Sequence, residues 1–161
     1  MQKSANFNAM KGPLFYSKIL LFGEYGIIKD SKGLSIPYNF YKGALQISEN
    51  PTEDQIKSNN NLSRLTSHIE QLMQDDQDFP RFDIATLKSD VTAGMFFDSS
   101  IPQGYGVGSS GALVASIYDK YAIEKITVLE NLTREKLLVL KDIFGKIESF
   151  SHGKSAGLDP L

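Results

Sequence analysis

The stretch PQGYGVGSSGALVAS, residues 102–116, holds four glycines and two adjacent serines, then turns into an apolar run at helical spacing. Backbone freedom spent just ahead of a helix has a physical use. A helix N-terminus exposes unpaired N–H groups and carries a partial positive charge. Glycines let the backbone approach an anion without side-chain clashes. Ser109 and Ser110 add hydroxyls, one of which can bind a magnesium ion carried by a nucleotide. The chemistry of the segment suits a nucleoside triphosphate.

Other readings of the same residues stay open. No lysine follows the final glycine, so this is not a Walker A loop. Gly106, Gly108 and Gly111 match G-x-G-x-x-G, but Pro102 and Gln103 intervene where a dinucleotide fingerprint wants a strand. A purely structural loop is the third reading.

Upstream, LFYSKILLFGEYGII (14–28) reads as a strand, a glycine-marked turn and a second short strand. Lys18 sits inside the first strand, where an unpaired ammonium is costly to bury, and Glu24 lies at its exit. Residues 31–48 continue as a turn, a short extended piece and a strand, with Pro37 arguing against a regular central strand there. The polar run ENPTEDQIKSNNN (49–61) reads as surface. From Leu62 the spacing turns helical, with Leu65, Ile69, Leu72 and Met73 on the same face and Ser63 placed to cap. His68, among polar neighbours, reads as an ordinary surface or packing histidine. FDIATLKSDV (82–91) and AGMFFDSS (93–100) read as strands.

Helices are expected at about 110–122 and 133–150. Thr133 caps the second, and Leu137, Leu140, Phe144 and Ile147 form its buried stripe. Strands followed by helices predict an α+β fold. The tail of the chain, ESFSHGKSAGLDP (148–160), is dense in chemistry. Glu148 falls in the last turn of its helix, where the dipole disfavours a carboxylate, so a metal or cationic partner would offset its position.

The totals bound the rest. The chain has 161 residues, enough for one domain with a real core, and 41% hydrophobic and 22% charged residues. A net charge of −2 offers no support for a nucleic-acid partner. There are no cysteines, which excludes disulfides, thiolate catalysis and zinc–cysteine sites, and two histidines are too few for a histidine-rich metal centre. The N-terminus lacks the apolar core of a signal peptide, and no run approaches the roughly 18 apolar residues of a membrane span. A cytoplasmic protein without membrane contact is expected, with residues 1–13 as a disordered or loosely attached tail.

Together these segments resemble the GHMP kinase family, and within it the mevalonate kinases. SKILLFGEYGII (17–28) resembles the family's opening lysine-and-GE strand. IPQGYGVGSSGALVAS (101–116) resembles its phosphate loop, and ESFSHGKSAGLDP resembles the segment E-x-x-x-H-G-x-x-S-G-x-D. The resemblance spans residues 14–161 and implies the family's N-terminal domain. That domain is ribosomal protein S5 domain 2-like, a mixed sheet with helices packed on one side. It implies an ATP-dependent, magnesium-requiring kinase for a small alcohol, mevalonate first, in isoprenoid precursor synthesis.

By resemblance Asp159 is the catalytic aspartate, and Lys18 favours its ionised form and stabilises the phosphoryl group in flight. Gly104, Gly106, Val107, Gly108, Ser109, Ser110 and Gly111 cradle the phosphates. Ser110 and Glu148 hold magnesium, and Glu24, Tyr25, His152 and Gly153 face the acceptor. Tyr25 stands where mevalonate kinases commonly have histidine, and Ala156 where the pattern has serine. The family's C-terminal domain would follow Asp159 and is not in this chain. Low activity of the chain alone is therefore expected, with an exposed apolar surface that invites self-association, a homodimer included. The rival expectations are a non-catalytic nucleotide-binding module and a family kinase for phosphomevalonate or homoserine.

Overall fold

The computed structural model of the chain describes residues 12–22, 34–103, 107–127 and 133–152, with the backbone alone at Leu20, Phe22, Ser151 and His152. Among them run three strands, β1 (Phe15–Phe22), β2 (Leu34–Ile47) and β3 (Met95–Ser99). Four helices accompany them: α1 (Glu53–Asp75), α2 (Ile84–Thr92), α3 (Ser109–Tyr121) and α4 (Arg134–His152). The α+β class is as expected. The described sheet, ordered β1-β2-β3, is antiparallel at both pairings rather than mixed.

β2 is one continuous strand through Pro37, against the broken strand the proline suggests. The register explains it. Lys18 lies opposite Pro37, and the Lys18 N–H donates outward to the Val107 carbonyl at 3.3 Å. Directly opposed antiparallel residues either exchange both bonds or both point outward. Pro37 therefore points its nitrogen away from β1 and removes no bond from that ladder. β3 pairs only with Gly43–Ile47, so no described strand needs a donor from Pro37. A register shift between Tyr16 and Ser17 sets Lys42 and Tyr38 against consecutive β1 residues.

Where β2 meets β3 the packing is close. A methyl group on Gly43 would overlap the far end of the Phe97 ring, so the aromatic reaches over bare backbone. The outer edge of β3 is closed by side chains of α1. Ser58 Oγ accepts from Phe97 N–H at 3.0 Å, and Asn59 Nδ2 donates to the carbonyls of Met95 and Val91 at 2.7 and 2.8 Å.

Those contacts correct the start of α1. The helix begins at Glu53, not near Leu62, and Thr52 rather than Ser63 caps it. Thr52 Oγ1 accepts from Gln55 N–H at 3.3 Å, and Gln55 Oε1 accepts from Thr52 N–H at 2.9 Å. This reciprocal capping box, with Glu53 and Asp54 in the first turn, suits the positive helix end. Residues 82–91 are corrected too. Asp83 accepts from Thr86 N–H at 3.0 Å and from its hydroxyl at 2.7 Å, and the chain enters α2 instead of a strand. Leu87 and Val91, four apart, bury one face of it.

The core lies between the sheet and the helices. α1 contributes Leu62, Leu65 and Ile69, α3 Val114, Ile117, Tyr118 and Tyr121, and α4 Leu140, Ile143, Phe144 and Ile147. Each fully buried aliphatic side chain, such as Ile69 or Ile147, contributes about 1.5–3 kcal/mol. The α4 stripe is shifted from expectation, because Leu137 is exposed and Ile143 is buried. α3 packs against β1 and β2 and also against α4, so it stands between the strand with Lys18 and the helix with Glu148.

Candidate functional site

The site is built at the N-terminus of α3. Gly108 is the N-cap residue, with φ 80° and ψ 30°, in the left-handed region. An ordinary residue costs about 1–2 kcal/mol there, which accounts for glycine. Space does not, since a methyl group would sit 3.5 Å from Lys18 Cγ, an ordinary contact. Gly108 offers no side-chain cap. Its carbonyl accepts the first helical bond, from Ala112 N–H at 3.0 Å. The first-turn N–H groups of Ser109, Ser110 and Gly111 are therefore not satisfied by a capping side chain, the local arrangement that favours an anion.

β1 supports this turn from one side. The Lys18 N–H bond to Val107 and the approach of Lys18 Cγ to Gly108 fix the loop against the strand. Lys18 and the glycine segment are some ninety positions apart in sequence, yet their backbones are hydrogen-bonded neighbours.

α4 closes the other side. Ser110 Oγ donates to Glu148 Oε1 at 2.7 Å. Glu148 is 4% exposed. Its place near the C-terminus of α4 is unfavourable for a carboxylate, but its oxygen reaches the first turn of α3, where the dipole favours one. The awkward position read from sequence thus has a physical partner in the neighbouring helix end.

The two oxygens are hard donors of the kind magnesium prefers. Magnesium usually takes only one or two protein oxygens and completes its shell with phosphate and water. The Ser110–Glu148 pair fits that demand. No group of three or more carboxylate or imidazole side chains able to hold a metal gathers among the described residues.

Of the residues singled out from sequence, the structure brings Lys18, Val107, Gly108, Ser109, Ser110, Gly111 and Glu148 to this one place. Glu24, Tyr25, Gly104, Gly106, Gly153 and Asp159 lie outside the described residues, and His152 is described by its backbone in α4 alone. His68 is a packing histidine. Its Nε2 lies 3.0 Å from the Lys146 carbonyl, and its ring centre is 5.7 Å from that of Phe150.

A surface cleft of about 200 Å³ between α1 and α2, lined by Ser63, Thr66, Ser67, Lys88, Val91 and Thr92, shares no residue with the α3 site. No described helix is long and apolar enough to cross a membrane. Compared with known proteins, the chain matches no family model, no curated protein and no solved structure.

Proposed function

We propose that the chain is the N-terminal domain of a GHMP-type kinase that transfers the γ-phosphate of ATP to a small alcohol, with mevalonate as the first candidate acceptor. The observation that carries this reading is the Ser110–Glu148 hydrogen bond of 2.7 Å at an α3 N-terminus that has no side-chain cap. An oxygen pair suited to magnesium stands beside backbone donors suited to phosphate, and Lys18 lies against the same turn.

The roles follow from the chemistry. The amides from Val107 to Gly111 hold the phosphates by backbone donation. Ser110 and Glu148 hold magnesium, which supplies neutralisation of the phosphate charge when bound. Lys18 adds a positive charge on the strand side. Asp159 accepts or orients the proton of the attacking hydroxyl, and Glu24, Tyr25, His152 and Gly153 face the acceptor. Catalysis of this kind is positioning and electrostatics. In this reading a C-terminal domain of the family type completes the site, and the protein works in the cytoplasm.

Calorimetric titration of the chain with ATP, with and without Mg2+, tests the nucleotide half. Binding that strengthens at least tenfold with Mg2+ supports the reading, and binding that ignores Mg2+ defeats it. An ADP-release assay with mevalonate, phosphomevalonate and homoserine, on the chain joined to a family C-terminal domain, then separates the acceptors.

A further inference from the structure

The Glu148 turn of α4 is held from two sides. Ser110 meets it from α3. The opposite side is fastened to α1 by several unlike contacts. His68 Nε2 lies 3.0 Å from the Lys146 carbonyl, and because a carbonyl only accepts, the ring carries a proton at that nitrogen. The His68 ring also lies beside Phe150, with centres 5.7 Å apart. Arg64, one turn earlier on α1, places its guanidinium 5.3 Å from the Phe150 ring centre. Just past the end of α1, Asp76 accepts from Lys146 Nζ at 2.7 Å, and Asp142 pairs with the same ammonium at 2.6 Å.

Helical geometry gives these contacts a direction. Lys146 and Phe150 are four apart and share a face, whereas Glu148, two from each, is turned about 200° away. The α1 contacts grip one side of the turn and the carboxylate leaves from the other. Rotation of α4 about its axis would break the first set and withdraw Glu148 from Ser110 together. Of the gripping groups, His68 alone bonds the α4 backbone, so it constrains the helix itself rather than the end of a flexible side chain.

We propose that His68 is a positioning residue, whose bond to the Lys146 carbonyl sets the rotation of α4 and so the reach of Glu148 to Ser110. Its value for function rests on the kinase reading above, whereas the mechanical coupling does not. The groups that share this seam are Arg64 and Asp76 from the α1 side and Asp142, Lys146 and Ser149 on α4 itself. Ser149 Oγ also donates to the Lys146 carbonyl, at 2.7 Å, but from within α4, so of the described contacts to that carbonyl only the His68 one ties it to α1.

The test is a double-mutant cycle in thermal unfolding. His68→Phe keeps a ring against Phe150 and removes the donor, and His68→Gln keeps a donor and removes the ring. Ser110→Ala is expected to lower Tm by about 3–8 °C in the wild-type and His68→Gln backgrounds. In the His68→Phe background the same change is expected to cost less than half as much, because the Ser110–Glu148 bond is already loosened. Equal losses in all three backgrounds would overturn the proposal. ATP titration adds a second readout. His68→Phe is expected to lose at least threefold of the affinity gained from Mg2+, with metal-free affinity unchanged. Wild-type protein whose ATP affinity ignores Mg2+ would defeat the kinase reading, while the unfolding cycle still decides the role of His68.

Discussion

Ser110 and Glu148, thirty-eight positions apart, share a 2.7 Å hydrogen bond that ties the first turn of α3 to the last turns of α4. The carboxylate is almost fully buried, so the hydroxyl matters for stability as well as for any ligand. Ser110→Ala removes one hydrogen bond to a charged group, worth about 1.5–3 kcal/mol. Urea unfolding should show that loss. Glu148→Gln keeps an acceptor for the hydroxyl and removes the buried charge. It should retain near-wild-type stability and lose the Mg2+-dependent part of ATP affinity, read by calorimetry. A site in which Glu148 serves only packing would show no such loss of affinity.

Gly108→Ala tests the turn before α3. The φ of 80° disfavours any side chain there, while the space is adequate. A destabilisation of about 1–2 kcal/mol is expected in denaturant unfolding. Gly108→Asn should cost less, since asparagine visits this conformation more readily. Equal cost for both would point to crowding against Lys18 instead.

Thr52→Ala removes half of the capping box of α1 and should cost about 1 kcal/mol. The cap is remote in sequence from the α3 site and, among the described residues, shares no hydrogen bond with it, so ATP affinity should be unchanged. A calorimetric titration that moved with this substitution would mean that the start of α1 is coupled to the glycine turn.

Asp90 links α2 to α3. It accepts from Lys120 Nζ at 2.8 Å and from the Tyr121 hydroxyl at 2.7 Å. The Lys120 bond, then the Tyr121 bond, hold its carboxyl below the ordinary aspartate value, and burial opposes them. A carboxyl depressed in the folded state stabilises above its unfolded pKa and loses that contribution as pH falls through the folded value. The wild type should therefore lose urea resistance on acidification below about pH 4, and Asp90→Asn should lose less across the same range. Parallel acid limbs for the two proteins would exclude Asp90 as a contributor.

Much of the fold was legible where periodicity and burial coincide. Leu62, Leu65 and Ile69 announce α1, and Leu140, Phe144 and Ile147 announce α4. What escaped was structure made by polar residues. Thr52 to Asn61 has no apolar stripe, but its threonine and glutamine build a cap, and Ser58 and Asn59 dock on the β3 edge. In residues 84–92, Ile84, Leu87 and Val91 stand at helical spacing, a short signal that the strand reading passed over, and the Asp83 side chain caps the turn that starts the helix. Chain composition does not disclose such distant partners.

The candidate site was legible as residue types and only partly as geometry. Glycines before an apolar helix, a lysine in a strand and a carboxylate at the wrong end of a helix each signal themselves locally. Nothing local states that Lys18 abuts Gly108 or that Glu148 meets Ser110. Those pairings come from α3 packing between β1 and α4. The part played by His68 is wholly tertiary, because its partner is a main-chain carbonyl.

Pro37 has a consequence for solubility. Residues 34–41 carry no charge, and Leu34, Ile36, Tyr38 and Phe40 are all exposed. With no described strand beyond it, such a run invites a foreign strand to add along its outer margin. At its centre, the outward-facing backbone position has a ring in place of a hydrogen, so an incoming strand meets a gap in its ladder. The proline acts as a gatekeeper against fibrillar stacking at no cost to the β1 pairing. Light scattering of Pro37→Val at rising concentration would reveal the protection by its loss.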